Sequence, residues 1–106
     1  MTLVDLKKAL MTVSENTYHY TAPSTSPLPR IVWAEDGQAD AVWADGKMQE
    51  QVITGTIDLF TKTEYDPLFN AIQTALNGVD ISYRLESIQY EETTKLIHYE
   101  WSFNLV

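Results

Sequence analysis

The sequence predicts an α+β domain, a mainly antiparallel sheet with two helices packed on one face, in the order α-β-β-β-α-β-β. First, Ile97, Tyr99, Trp101, Phe103 and Leu105 alternate strictly with His98, Glu100, Ser102 and Asn104, the two-residue period of a half-buried strand. Second, Leu3, Leu6, Leu10 and Val13 recur at helical steps, and Leu68, Phe69, Ile72 and Leu76 do so again. Third, every strand candidate has one apolar and one polar face, which suits an antiparallel sheet covered on one side.

The first helix starts near Thr2, a good N-cap, with Asp5 in its first turn where the helix dipole favours an acid. Glu15-Asn16-Thr17 stops it, and Tyr18 to Ala22 alternates aromatic and polar residues as a short strand. Pro23, Pro27 and Pro29, interleaved with Ser24, Thr25 and Ser26, form a connecting loop. Arg30 to Glu35 is the next strand, with Asp36-Gly37 marking its end. Residues 37–48 read as a long loop or an irregular hairpin, containing a second Asp-Gly at Asp45-Gly46.

Gln49 to Lys62 is the longest strand candidate, with Ile53, Gly55, Ile57 and Leu59 on one face and Thr54, Thr56 and Asp58 on the other. Gly55 on the apolar face predicts a bulge or a close approach by a packed helix. Thr63 is placed to cap the second helix, and Asn77-Gly78 to end it through a left-handed residue. Ile81 to Tyr90 and Ile97 to Leu105 then pair as an antiparallel hairpin across Glu91-Glu92-Thr93-Thr94.

At 106 residues the chain is expected to be one domain, 1–106, with one modest core and little room for a deep cleft. Fifteen acidic against 7 basic side chains leave a formal charge of −8, which repels phosphate and disfavours nucleic-acid binding. No cysteine is present, which removes disulfides, thiolate metal sites and cysteine nucleophiles. The first residues lack the basic-then-apolar order of a signal peptide, and no apolar run approaches the roughly 20 residues that span a bilayer. The expectation is a protein folded in a cytoplasm, without a membrane partner.

Chemistry is sparse. His19 and His98 each sit mid-strand with no second ligand at a metal-site spacing. Asp36, Asp40 and Asp45 raise calcium, but Val42 and Ala44 break the alternation that a calcium loop needs. The four glycines form no phosphate-binding loop. The expectation is therefore no catalytic residue, no metal and no cofactor. Trp43 stands apart: with Val42 and Met48 it lies in an otherwise small and acidic segment. Such a group either folds back over the sheet or inserts into a neighbour, and tryptophan and methionine are enriched at interfaces.

Several runs together carry a resemblance. They are Tyr18-His19-Tyr20 ahead of the proline loop, Pro29-Arg30-Ile31-Val32-Trp33-Ala34-Glu35, Ile57-Asp58-Leu59-Phe60-Thr61-Lys62, and the ending Ile97-His98-Tyr99-Glu100-Trp101-Ser102-Phe103. They resemble the small tail-completion or tail-terminator proteins of long-tailed phages and prophages of Gram-positive bacteria, often described as minor capsid or head–tail joining proteins. The resemblance spans nearly the whole chain and rests on structural signatures. It implies a non-enzymatic virion protein, made in the bacterial cytoplasm, that resides at the head–tail junction.

The family forms a ring, usually a hexamer, that caps the head-proximal end of the tail tube. Its implied partners are other copies of itself, assembling on the tail template if not alone, the major tail tube protein and the head connector or stopper. DNA would pass through the lumen without sequence-specific binding, eased by an acidic surface. On this reading residues 36–50, with Val42, Trp43 and Met48, form the projecting interface element. The alternative is a stand-alone small-ligand-binding or regulatory module, which needs a concave apolar cavity and stays monomeric.

Overall fold

The computed structural model describes residues 2–39, 42–44, 47–79 and 81–105, with the backbone alone for 42–44 and 47–50. Helix α1 (Leu3–Val13) starts at the expected cap. Thr2 is extended, its Oγ1 accepts from the Asp5 amide at 3.2 Å, and Asp5 Oδ2 accepts from the Thr2 amide at 2.9 Å. This reciprocal box satisfies two amides that would otherwise lack partners. Leu6 and Leu10 are fully buried, flanked by half-buried Leu3 and Val13.

Strands β1 (Thr17–His19), β2 (Arg30–Gln38), β5 (Ile53–Thr61), β6 (Ser82–Glu91) and β7 (Leu96–Leu105) form one sheet in the order β1-β2-β5-β7-β6. Among the described residues β1 and β2 pair in parallel, and the other neighbours in this sheet are antiparallel. With α1 and the second helix, the fold is α+β in the expected order. A separate two-stranded hairpin, β3 (Val42–Ala44) with β4 (Lys47–Glu50), stands between β2 and β5.

That hairpin corrects two expectations. Asp36-Gly37 does not end β2, because the strand continues to Gln38 after a register shift between Glu35 and Gly37. The single strand expected over Gln49 to Lys62 is two, since β4 folds back on β3 (Val42↔Glu50, Trp43↔Met48, Ala44↔Lys47) before β5 begins at Ile53. Asp45-Gly46, the dipeptide between the paired Ala44 and Lys47, is a sequence that two-residue hairpins favour.

The core face of the sheet carries Ile31 and Trp33 of β2, Ile57 and Leu59 of β5, and Tyr99, Trp101, Phe103 and Leu105 of β7. Gly55 lies on this face, but its close neighbours belong to the flanking strands, not to a helix. An added Cβ would fall deep inside contact with the Ala34 carbonyl oxygen and 2.5 Å from Phe103 Cζ.

Helix α2 (Leu68–Asn77) buries Ile72 and Leu76 against the sheet. Its start differs from expectation, because Pro67 occupies the cap position and Thr63 lies outside. Asp66 takes over the capping: its Oδ1 accepts from the Leu68 amide at 2.9 Å and its Oδ2 from Thr61 Oγ1 at 2.6 Å. Both side chains are buried, so this link joins strand to helix with its polar groups satisfied. The helix also ends without a left-handed residue. Gly78 keeps right-handed angles (φ −77°, ψ −13°), its amide reaches Thr74 O at 3.1 Å, and the Val79 amide closes the end on Leu76 O at 3.3 Å.

Helix α2 covers only part of the sheet's length. Its ten residues span about 15 Å, whereas the ten residues of β7 span about 33 Å. Phe69 packs tilted against Tyr99 (4.8 Å between centroids), Gln73 accepts from Trp101 Nε1 at 3.2 Å, and Tyr83 donates to Asn77 Oδ1 at 2.8 Å. The helix thus lies over residues 99–103 of β7 and leaves the 96–98 end uncovered.

Candidate functional site

At that uncovered end the register of β6 decides which side chains are presented. Up to Leu85, which pairs with Trp101, β6 alternates regularly. Glu86 is then bulged, Ser87 pairs with Glu100, Ile88 with Tyr99 and Tyr90 with Ile97. The extra residue returns Ile88 and Tyr90 to the helix-side face, where no helix reaches them, and each is 56% exposed. Together with Ile97, Lys62, Glu64 and Lys95 they line an open groove of about 800 Å³. Among the described residues neither lysine has a carboxylate within 4.0 Å.

Strand β6 is also the outer strand of the sheet, so one row of its backbone donors and acceptors has no strand partner. At the opposite edge β1 is three residues long and covers β2 from Ile31 to Trp33. A ten-residue edge beside exposed apolar side chains is a template for another chain unless something covers it.

The sheet end that carries the groove is remote from the β3–β4 hairpin. Ile53 pairs with Leu105, and Ala39 donates to Val52 O at 2.9 Å, carrying the β2–β5 ladder outward at the far end. Thr61 pairs with Ile97 at the groove end. The molecule measures 53 × 26 × 23 Å. Of the expected interface residues, Val42, Trp43 and Met48 have their backbone in this hairpin, while their side chains lie outside the described residues. Asp40 and Asp45 also lie outside them. Asp36 accepts from Thr54 Oγ1 at 2.8 Å and so belongs to the bulged end of β2.

Both histidines are paired with carboxylates. His19 Nε2 lies 2.9 and 3.1 Å from the Glu35 carboxylate oxygens, and its ring stacks between Trp33 and Tyr20. Tyr20, at φ 73°, directs its hydroxyl to the same carboxylate. Burial pushes the Glu35 carboxyl up. The hydrogen bonds from Tyr20 and His19, with its own backbone amide, outweigh that and hold it below the ordinary carboxylate value. The Tyr20 hydroxyl is held above its ordinary value, chiefly by the bond to Glu35.

On the face without helices, His98 Nε2 lies 2.7 Å from Asp58 Oδ1 and its ring stacks on Phe60, over which Arg30 sits at 5.3 Å. A histidine oriented by a carboxylate is half of a general-base arrangement. Here each ring lies flat on an aromatic and secures cross-strand packing, and among the described residues neither is paired with a hydroxyl nucleophile. Among the described residues no group of three or more His, Cys, Asp or Glu could hold a metal, and no helix is long and apolar enough to cross a membrane.

No family model matches the chain, and no curated protein matches it.

A regular strand over Ile81 to Tyr90 predicts no groove, because it gives Ile88 and Tyr90 no common face with Ile81, Tyr83 and Leu85. A signal was available: Ile81, Tyr83 and Leu85 hold odd positions, then the apolar pattern moves to Ile88 and Tyr90. A parity break of that kind inside a strand marks a bulge. The histidine pairings, 16 and 40 residues apart in sequence, carried no local signal at all.

Proposed function

We propose that this chain is a self-assembling structural protein of a phage or prophage tail, a tail-terminator or head–tail joining subunit. In this role copies form a ring, hexameric in the form the resemblance implies, that caps the head-proximal end of the tail tube and docks to the head connector. The observation that carries the reading is the β6 edge, ten residues long and open on one side, with Ile88 and Tyr90 exposed next to it. A monomer leaves that surface wet, and a neighbouring subunit that covers it gains both main-chain hydrogen bonds and apolar burial. The two sheet edges differ in length and neighbours, which favours a head-to-tail contact that closes into a ring. The role is structural, with no reaction to catalyse.

The test is solution mass by native mass spectrometry across a concentration series. The subunit is 12.1 kDa, so a hexamer weighs about 73 kDa. A concentration-dependent species of that mass, lost in Ile88→Lys, is the expected result. A monomer at every concentration that also fails to add to tail tubes would overturn the reading. It would favour the small-ligand or regulatory alternative, for which the 800 Å³ groove is a candidate cavity.

A further inference from the structure

We infer that the groove lined by Ile88, Tyr90 and Ile97 receives the 42–50 hairpin of a second copy of this chain, a contact that rests on the self-assembly reading and specifies its geometry. Three observations carry it. The first is placement. Strand register puts the hairpin beyond the Ile53–Leu105 end of the sheet and the groove at the Thr61–Ile97 end. The two surfaces differ and face opposite ends of a 53 Å molecule, so their contact joins copies head to tail and leaves a hairpin and a groove free at the termini.

The second observation is charge. The groove carries Lys62 and Lys95 against Glu64, a net positive patch on a chain of charge −8. Residues 42–50 hold Asp45 and Glu50 against Lys47, a formal charge of −1, and Asp40 just ahead of them adds another acid. The opposite signs steer the two segments together, whereas hairpin against hairpin repels. The third is apolar content. The segment contains Trp43 and Met48, residue types enriched at interfaces, with the apolar Val42 beside them, and the groove offers Ile88, Tyr90 and Ile97 with β6's free edge next to them.

The absence of cysteine makes the contact trappable. Full-length Trp43→Cys and Tyr90→Cys proteins, each checked for folding by circular dichroism, are mixed in equal amounts and mildly oxidised. Non-reducing gels then separate the mixed dimer from the two homodimers by a tag on one variant. The expected result is a mixed disulfide in more than about tenfold excess over either homodimer, the ratio that a preference of about 1.4 kcal/mol gives. Met48→Cys with Ile88→Cys repeats the test should either first variant fold poorly, and Val4→Cys, exposed on α1, is the control partner. Random pairing, equal trapping with Val4→Cys, or no trapping overturns the inference.

Wild-type mass, measured separately, distinguishes the two proposals. A ring with unselective trapping removes this docking geometry and keeps the assembly. Selective trapping in a chain that forms no closed ring, alone or on tail tubes, keeps the docking and removes the ring.

Discussion

Replacing Gly55 with alanine tests the packing of the sheet's centre. The position lies on the core face of β5, between β2 and β7, and pairs with Glu35 and Phe103. A Cβ there meets two obstacles, the Phe103 ring at 2.5 Å and the Ala34 carbonyl oxygen closer still. The ring can tilt, at the cost of contacts with the rest of the core. The carbonyl belongs to β2 and moves only if the β2–β5 ladder moves with it. Overpacking typically costs about 1–3 kcal/mol, and a main-chain obstacle places Gly55→Ala at the upper end, about 3 kcal/mol.

For a domain of this size, about 3 kcal/mol lowers Tm by about 12 °C or more and shifts a urea midpoint by about 1–3 M. Urea unfolding followed by tryptophan fluorescence measures it. Phe103→Leu in the same background should recover less than half of the loss, because it removes the ring and leaves the carbonyl. A Gly55→Ala protein within about 0.5 kcal/mol of wild type would refute the reasoning. Full recovery in the double variant would refute the role given to the Ala34 carbonyl.

The remaining predictions concern other links of the same chain. Asp66→Ala strips the Leu68 amide and Thr61 hydroxyl of their acceptor in a buried site, so unfolding should show a loss of about 2 kcal/mol, with Asp66→Asn closer to wild type. Glu35 has a lowered carboxyl value, so its stabilisation is present above the ordinary carboxylate range and is lost as pH falls through the lowered value. Tyr20→Phe should raise that value in a carboxyl-carbon NMR titration and make stability fall earlier on acidification. Tyr20 itself is shifted upward, so its contribution is complete below the ordinary tyrosine value and is lost as pH rises through the raised one. Ile88→Lys should leave unfolding within about 0.5 kcal/mol of wild type, since the side chain is 56% exposed, while weakening self-association measured by sedimentation.

What the sequence determined by itself is the set of local patterns. The strict alternation of Ile97 to Leu105 places Tyr99, Trp101, Phe103 and Leu105 in the core, where the structure has them. The Thr2 cap, with Asp5 in the first turn, and both helical stripes were legible for the same reason, because capping and amphipathicity act over one or two turns. Tertiary structure decided everything that depends on a partner distant in the chain. Asp66 displaced Thr63 as the helix cap because Thr61, at the end of a core strand, holds its other oxygen. Gly55 is glycine because of Ala34 and Phe103, and no spacing rule connects those three residues. The groove exists because α2 is about half as long as β7 and because the bulge at Glu86 turns Ile88 and Tyr90 toward the space the helix leaves open. Helix length and strand parity were each readable in the sequence. Their coincidence at one end of the sheet is a property of register, which only the folded pairing of β6 with β7 sets.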